Sequence, residues 1–145
     1  MARMHSDGRG SSGSSSPAEK KVPDWTEYTE EEVVNLVLDL REDGLQPAQI
    51  GAKLRDQYGV PDVKTLTGMK LTEILEEEGM SPEIPEDLQN LLDKAERIQD
   101  HMDDNPADQK AERRLELVES KIRRIADYHR EEGNIPENWE YERDE

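Results

Sequence analysis

Apolar residues recur along this chain at helical spacing, and nowhere do they alternate over a stretch long enough for a sheet strand. Thr29 stands three residues before Glu32, the spacing of a capping box, and Val33, Leu36, Val37 and Leu40 follow at i, i+3, i+4 and i+7, so a first helix begins here. Gly44 stops it. A second helix opens at Pro47, whose missing N–H costs nothing in a first turn. It carries Ile50, Leu54 and Tyr58 on one stripe and ends at Gly59-Val60-Pro61. A short third has Leu71, Ile74 and Leu75 ahead of Gly79. Helices this short do not persist alone, so the pattern predicts a small three-helix bundle over residues 25–80.

A longer helix starts near Pro85, with Glu86 and Asp87 at its positive end and Leu88, Leu91, Leu92, Ala95, Ile98 and Met102 along one face. The polar loop Asp103-Asp104-Asn105-Pro106-Ala107-Asp108 breaks it, and Ala111, Leu115, Val118, Ile122 and Ile125 mark a last long helix that runs to Gly133. Two stripes joined by a short loop predict an antiparallel helical hairpin over residues 81–133. Residues 1–24 form a Gly/Ser-rich basic arm, with Arg3, His5, Arg9, Lys20 and Lys21, that buries too little to fold alone and is suited to ordering on a polyanion. Residues 134–145 form a polar tail whose Ile135, Trp139 and Tyr141 can pack back onto the body. The expected fold is all-α.

Composition narrows the class. With 145 residues and 32% apolar content, any core is thin. There are no cysteines, which excludes disulfides and thiolate metal sites, and no apolar run long enough to span a bilayer or act as a signal peptide. A soluble, cytoplasmic protein is expected. The net charge of −17 argues against nucleic acid, because Lys and Arg supply most of that affinity. The charge is uneven, however: residues 71–108 carry −11, while residues 1–22 carry +2 and residues 109–130 carry +3. Basic islands in an acidic surface fit a cytoplasm of molar salt, where screening acts within about 3 Å and carboxylates keep a protein hydrated.

The basic residues of the last helix are ordered. Arg114, Lys121, Arg124 and Tyr128 are spaced by seven, three and four, so they share a face beside the apolar stripe, and Lys110 extends it by a turn. Such a ridge suits phosphates and exposed bases, although it equally fits a solvated face paired with Glu116 and Glu119. His101 and Asp108 flank the hairpin loop and are brought close by it, either as a polar reading pair or as plain helix-terminal residues. No metal site is expected: His5, His101 and His129 lack ligand spacing, and the Asp-rich loop lacks the Gly and Glu of a calcium loop. There is no phosphate-cradling Gly loop and no nucleophile-base arrangement, so neither an enzyme nor a cofactor is expected. Residues 46–55 superficially follow a helix-turn-helix, but Lys53 and Arg55 come late in the second helix, next to Asp56.

Taken together these segments resemble the archaeal and eukaryotic branch of the ribosomal protein fifteen family of the small subunit. The resemblance is carried by Arg3-Met4-His5 with Gly8-Arg9-Gly10, Val22-Pro23-Asp24-Trp25, Leu45 through Gly51, Leu54-Arg55-Asp56, Tyr58-Gly59-Val60-Pro61 and Ile135 through Tyr141. The part shared with the bacterial branch is Thr67-Gly68, His101 with Asp108, and Leu115 through Tyr128. The resemblance implies a four-helix core, with an amino-terminal extension absent from bacterial members. It implies a monomer that binds the central domain of small-subunit ribosomal RNA at a three-helix junction and a nearby shallow groove, beside other ribosomal proteins, with no membrane or small-molecule substrate. It places Thr67, Gly68, Arg124 and Tyr128 on the junction surface, and His101 and Asp108 on the groove-reading surface. The chain departs from the bacterial pattern at Ala111, where that pattern has Ser, and at the acidic Asp103 and Asp104. Two other readings stay open on the residues alone: a DNA-binding regulator using residues 29–58, and an acidic helical interaction module without nucleic acid.

Overall fold

A computed structural model describes residues 13–143 and, among them, shows helices and no strand. The helices are α1 (Glu30–Glu42), α2 (Pro47–Gln57), α3 (Val63–Thr67), α4 (Leu71–Glu77), α5 (Glu86–Asp104) and α6 (Gln109–Glu131). The all-α expectation holds. The arm residues Arg3, His5 and Arg9 lie outside the described residues.

Local chemistry sets the helix starts. The Thr29 hydroxyl accepts from the Glu32 N–H at 3.4 Å and the Glu32 carboxylate accepts from the Thr29 N–H at 2.8 Å, so both halves of the capping box form. At α2, Pro47 opens the first turn and the Gln49 side chain accepts from the Gln46 N–H at 3.0 Å.

Two apolar clusters organise the chain. Val33, Val37, Leu40, Ile50, Leu54, Val60, Val63, Ile74 and Leu75 fill the first, and nearly all of them are the stripe residues of α1, α2 and α4. This cluster is built from four helices where the apolar pattern marks three. The added element, α3, spans five residues and buries only Val63, too little to register as a periodicity. It is set instead by its ends: Asp62 accepts from the Lys64 N–H, and Gly68 closes it at φ +76°, a backbone conformation that glycine adopts without strain. Arg41 laces the loops around the cluster by donating to the carbonyls of Met80 and Leu45, each at 3.1 Å.

The second cluster, Leu88, Ala95, Leu115, Val118, Ile122, Ala126 and Ile135, lies between α5 and α6 and extends into the tail. The two helices form an antiparallel hairpin, since His101 meets Asp108 at the loop end and His129 meets Asp87 at the open end. The tail packs back as its apolar residues suggest. Ile135 is buried, Trp139 and Tyr141 cover the cluster, Arg130 donates to the Trp139 carbonyl at 3.0 Å, and Arg143 pairs with the buried carboxylate of Glu119 at 2.9 Å. Between the two clusters, the Glu86 carboxylate at the start of α5 accepts from the Ala48 N–H in the first turn of α2, 2.9 Å away, an anion at a positive helix end. No described helix is long and apolar enough to cross a membrane.

Candidate nucleic-acid interface

The α5–α6 hairpin has one side covered by the tail and another cut by two clefts. The first cleft, of about 690 Å³, lies near the loop and is lined by Lys94, Arg97, Ile98, His101, Asp108, Lys110, Ala111 and Arg114. The second, of about 610 Å³, lies toward the open end and is lined by Asp87, Asn90, Leu91, Lys94, Lys121, Arg124, Ile125 and Tyr128. Lys94 lines both, so the two form one groove along the hairpin. Its walls hold six cations and two carboxylates in a chain whose net charge is −17. Net charge therefore misleads here, because a polyanion responds to the field of the groove and not to the sum over the chain.

The ridge expected on the last helix faces this groove throughout. Lys110 and Arg114 reach the first cleft, and Lys121, Arg124 and Tyr128 the second. Tyr128 is 56% exposed, ample for a ring to stack on a base. Among the described residues none of the four ridge cations has an ion pair to Glu116 or Glu119; those carboxylates are taken by Arg113, Arg123 and Arg143. Lys94 and Arg97, which the sequence reading passed over, complete the opposite wall. They were legible: Lys94, Arg97 and His101 are spaced by three and four on one face of α5, and are the only cationic side chains in its strongly acidic stretch apart from what His101 can carry.

Thr67 and Gly68 line neither cleft. They end α3 in the first cluster, where the Thr67 hydroxyl donates to the Val63 carbonyl at 2.8 Å and accepts from the Met69 N–H. Lys20 pairs with Asp62 at 2.9 Å and Lys21 with Glu19 at 3.0 Å, away from the hairpin groove.

At the loop end the polar pair is tightly specified. Asp108 is the N-cap of α6: one carboxylate oxygen, Oδ1, accepts from the N–H groups of Lys110 and Ala111 at 3.0 and 3.1 Å. The other, Oδ2, lies 3.0 Å from His101 Nε2. The Asn105 side-chain amide donates to the His101 carbonyl at 3.0 Å and turns the same nitrogen toward His101 Nδ1 at 3.4 Å. In the tautomer that suits these partners, Nδ1 accepts from Asn105 and Nε2 donates to Asp108. The His101 hydrogen bond, then the helix-start N–H of Ala111, hold the Asp108 carboxyl below the usual carboxylate range. What the cleft offers a ligand is thus an ionised carboxylate with spare acceptor capacity on Oδ2, flanked by an imidazole whose nitrogens are already engaged. Among the described residues no His, Asp or Glu grouping could hold a metal ion.

Residues 71–145 match the family described as Ribosomal protein S15, and residues 1–60 match the Ribosomal S13/S15 N-terminal domain. A protein of Natronomonas pharaonis named small ribosomal subunit protein uS15 is 52% identical over 134 residues, covering 90% of this chain and 87% of its own. The chain belongs to the ribosomal protein S15 family. Two further proteins of that name are similarly close. That of Haloarcula marismortui is 47% identical over 99% of this chain and 94% of its own, and that of Methanoculleus marisnigri 45% identical over 97% and 93%. S15 membership agrees with a non-enzymatic role, and the acidic, salt-adapted composition agrees with the halophilic sources of two of these relatives.

Proposed function

We propose that this chain is a structural constituent of the small ribosomal subunit and holds small-subunit ribosomal RNA in the α5–α6 groove. The observation that carries the reading is that Lys94 lines both clefts, with cations on both walls in a chain whose net charge is −17. Two walls of cations about a helical hairpin neutralise phosphates on strands that approach each other, as at a helical junction. The neighbouring carboxylate of Asp108 accepts from a ribose 2′-hydroxyl or a base amino group, both of which an RNA duplex displays in its shallow groove. Affinity then comes from Lys94, Arg97, Lys110, Arg114, Lys121 and Arg124, and discrimination from Asp108 with His101 behind it.

In the same reading residues 25–80 and 81–133 act as two units, the second being the RNA clamp. The arm over residues 1–24 orders on RNA, and the tail over 134–145 braces the hairpin. Thr67 and Gly68 take part only if RNA also reaches the end of α3. Other ribosomal proteins are neighbours, and the chain enters the particle as one copy. The S15 relatives favour this over a DNA-binding regulator or an interaction module without nucleic acid.

The test is binding of the full chain to a central-domain fragment of small-subunit RNA and to a duplex DNA of equal length. The reading requires clear preference for the RNA, and weaker binding when Lys121→Gln and Lys110→Gln are combined. Equal binding to both nucleic acids, unaffected by those substitutions, would contradict it.

A further inference from the structure

The hairpin carries the same three-residue arrangement at both ends. At the loop end the arrangement is His101 with Asp108 and Asn105. At the open end His129 Nε2 lies 2.7 Å from Asp87 Oδ1, and the Asn134 amide nitrogen lies 3.1 Å from His129 Nδ1. We propose that His129 and Asn134 are positioning residues, which hold the Asp87 carboxylate and the Tyr128 ring in a fixed disposition on the wall of the second cleft. The proposal rests on the reading of the groove as an RNA site and adds which side chains set its second half.

The chemistry of His129 goes beyond filling space. Its ring is buried at 6% exposure, yet each nitrogen is met by a partner of the right kind, a carboxylate at Nε2 and an amide donor at Nδ1. A buried apolar residue would fill the same volume without desolvating two polar atoms. What the imidazole adds is direction. Asp87 Oδ1 takes the His129 N–H and the Leu88 N–H at 2.8 Å, which fixes the carboxylate. Asp87 stays half exposed and lines the second cleft.

Tyr128 is held from the same point. Its ring meets His129 edge-to-face, with centroids 5.1 Å apart and planes at 62°, while most of the ring stays open to the cleft. Asn134 ties this arrangement to the tail, because its backbone N–H donates to the His129 carbonyl at 2.9 Å and the next residue, Ile135, is buried in the hairpin cluster. A carboxylate and a ring that are already ordered do not lose their side-chain freedom when RNA arrives, so the restraint appears as affinity.

The experiment uses the full chain and a central-domain RNA, with hydroxyl-radical protection and affinity as readouts. Protections lost in Lys110→Gln define the first cleft, and those lost in Arg124→Gln the second. His129→Phe keeps a buried ring without either hydrogen bond. It is expected to lose second-cleft protection and about tenfold in affinity, the scale of one charged hydrogen bond, with first-cleft protection and melting temperature retained. His129→Gln, which returns an N–H toward Asp87, is expected to recover most of both. Asn134→Ala, which leaves the His129–Asp87 bond, should weaken the same protections by a few fold. Wild-type protection in His129→Phe overturns the proposal. So does a His129→Gln variant as weak as His129→Phe, with both sets of protections falling together with the melting temperature, which makes the residue a fold tie only. If the unsubstituted chain protects no RNA, the RNA reading itself fails and the proposal with it.

Discussion

The Nε2 hydrogen of His101 points at Oδ2 of Asp108 across 3.0 Å, closing the loop that joins α5 to α6. This bond joins two roles that the residues suggest separately. Asp108 caps α6 through Oδ1 and lines the groove, so in the proposed reading one side chain serves folding and recognition at once.

The two roles are separable by substitution. Asp108→Ala removes cap and carboxylate together and should cost about 0.5–2 kcal/mol of stability, the range for losing an N-cap side chain. Asp108→Ser keeps an oxygen for the helix-start N–H groups and should melt close to wild type. Both variants should lose discrimination between the cognate RNA helix and a base-changed one, by about 1–3 kcal/mol if the scale for direct base contacts transfers. Unchanged discrimination in Asp108→Ser, with normal melting, would make the residue a helix cap and nothing more.

Acid should act on the same group. The folded Asp108 carboxyl lies below its ordinary value, so it is the unfolded chain that takes up the proton first as pH falls. Its stabilising contribution is complete above the unfolded value, about 3.9, and disappears as pH falls through the folded one. Thermal melts of wild type and Asp108→Asn between pH 6 and about pH 3 check this: the gap between them should narrow toward the acid end. A gap that stays constant or widens contradicts it.

Thr29 provides a parallel case far from the groove. Its hydroxyl and backbone N–H both pair with Glu32, so Thr29→Ala should lower stability by about 0.5–2 kcal/mol through loss of the cap. RNA affinity should not change. A melting temperature equal to wild type would remove the capping box as a stabilising element.

The structure shows which parts of this architecture are legible in the residues. Long apolar stripes announce α5 and α6, and a cap or a Pro fixes the starts of α1 and α2, because periodic burial and orphan backbone groups leave marks in sequence. α3 leaves no stripe, since a five-residue helix buries one side chain, and its marks are only Asp62 and Gly68 at its ends. Within the site, the ridge on α6 shows in its spacing. The opposite wall is harder to see, because Lys94 and Arg97 are diluted by the carboxylates around them. The link between His129 and Asp87 spans 42 positions and joins two elements whose relative register only the folded hairpin sets.

The arm makes a different kind of contact. Between Lys20 and Asp62 there is an exposed ion pair, the sort that contributes about 0–1 kcal/mol. Removing residues 1–21 should therefore leave helix content and melting nearly unchanged while reducing incorporation into small subunits. Loss of helix in the truncated chain, by circular dichroism, would show that the arm is part of the core.

The groove itself is tested most directly at Lys94, the side chain common to both clefts. The measurement is affinity of the full chain for central-domain RNA across a salt series, wild type against Lys94→Gln. Each phosphate neutralised adds roughly 0.7–0.9 to the slope of log affinity against log salt, through release of condensed counterions. The account predicts that Lys94→Gln weakens binding to cognate and base-changed RNA alike and lowers the slope by about one such unit, with melting unchanged. An unchanged affinity and slope would mean that RNA does not run along this face of the hairpin.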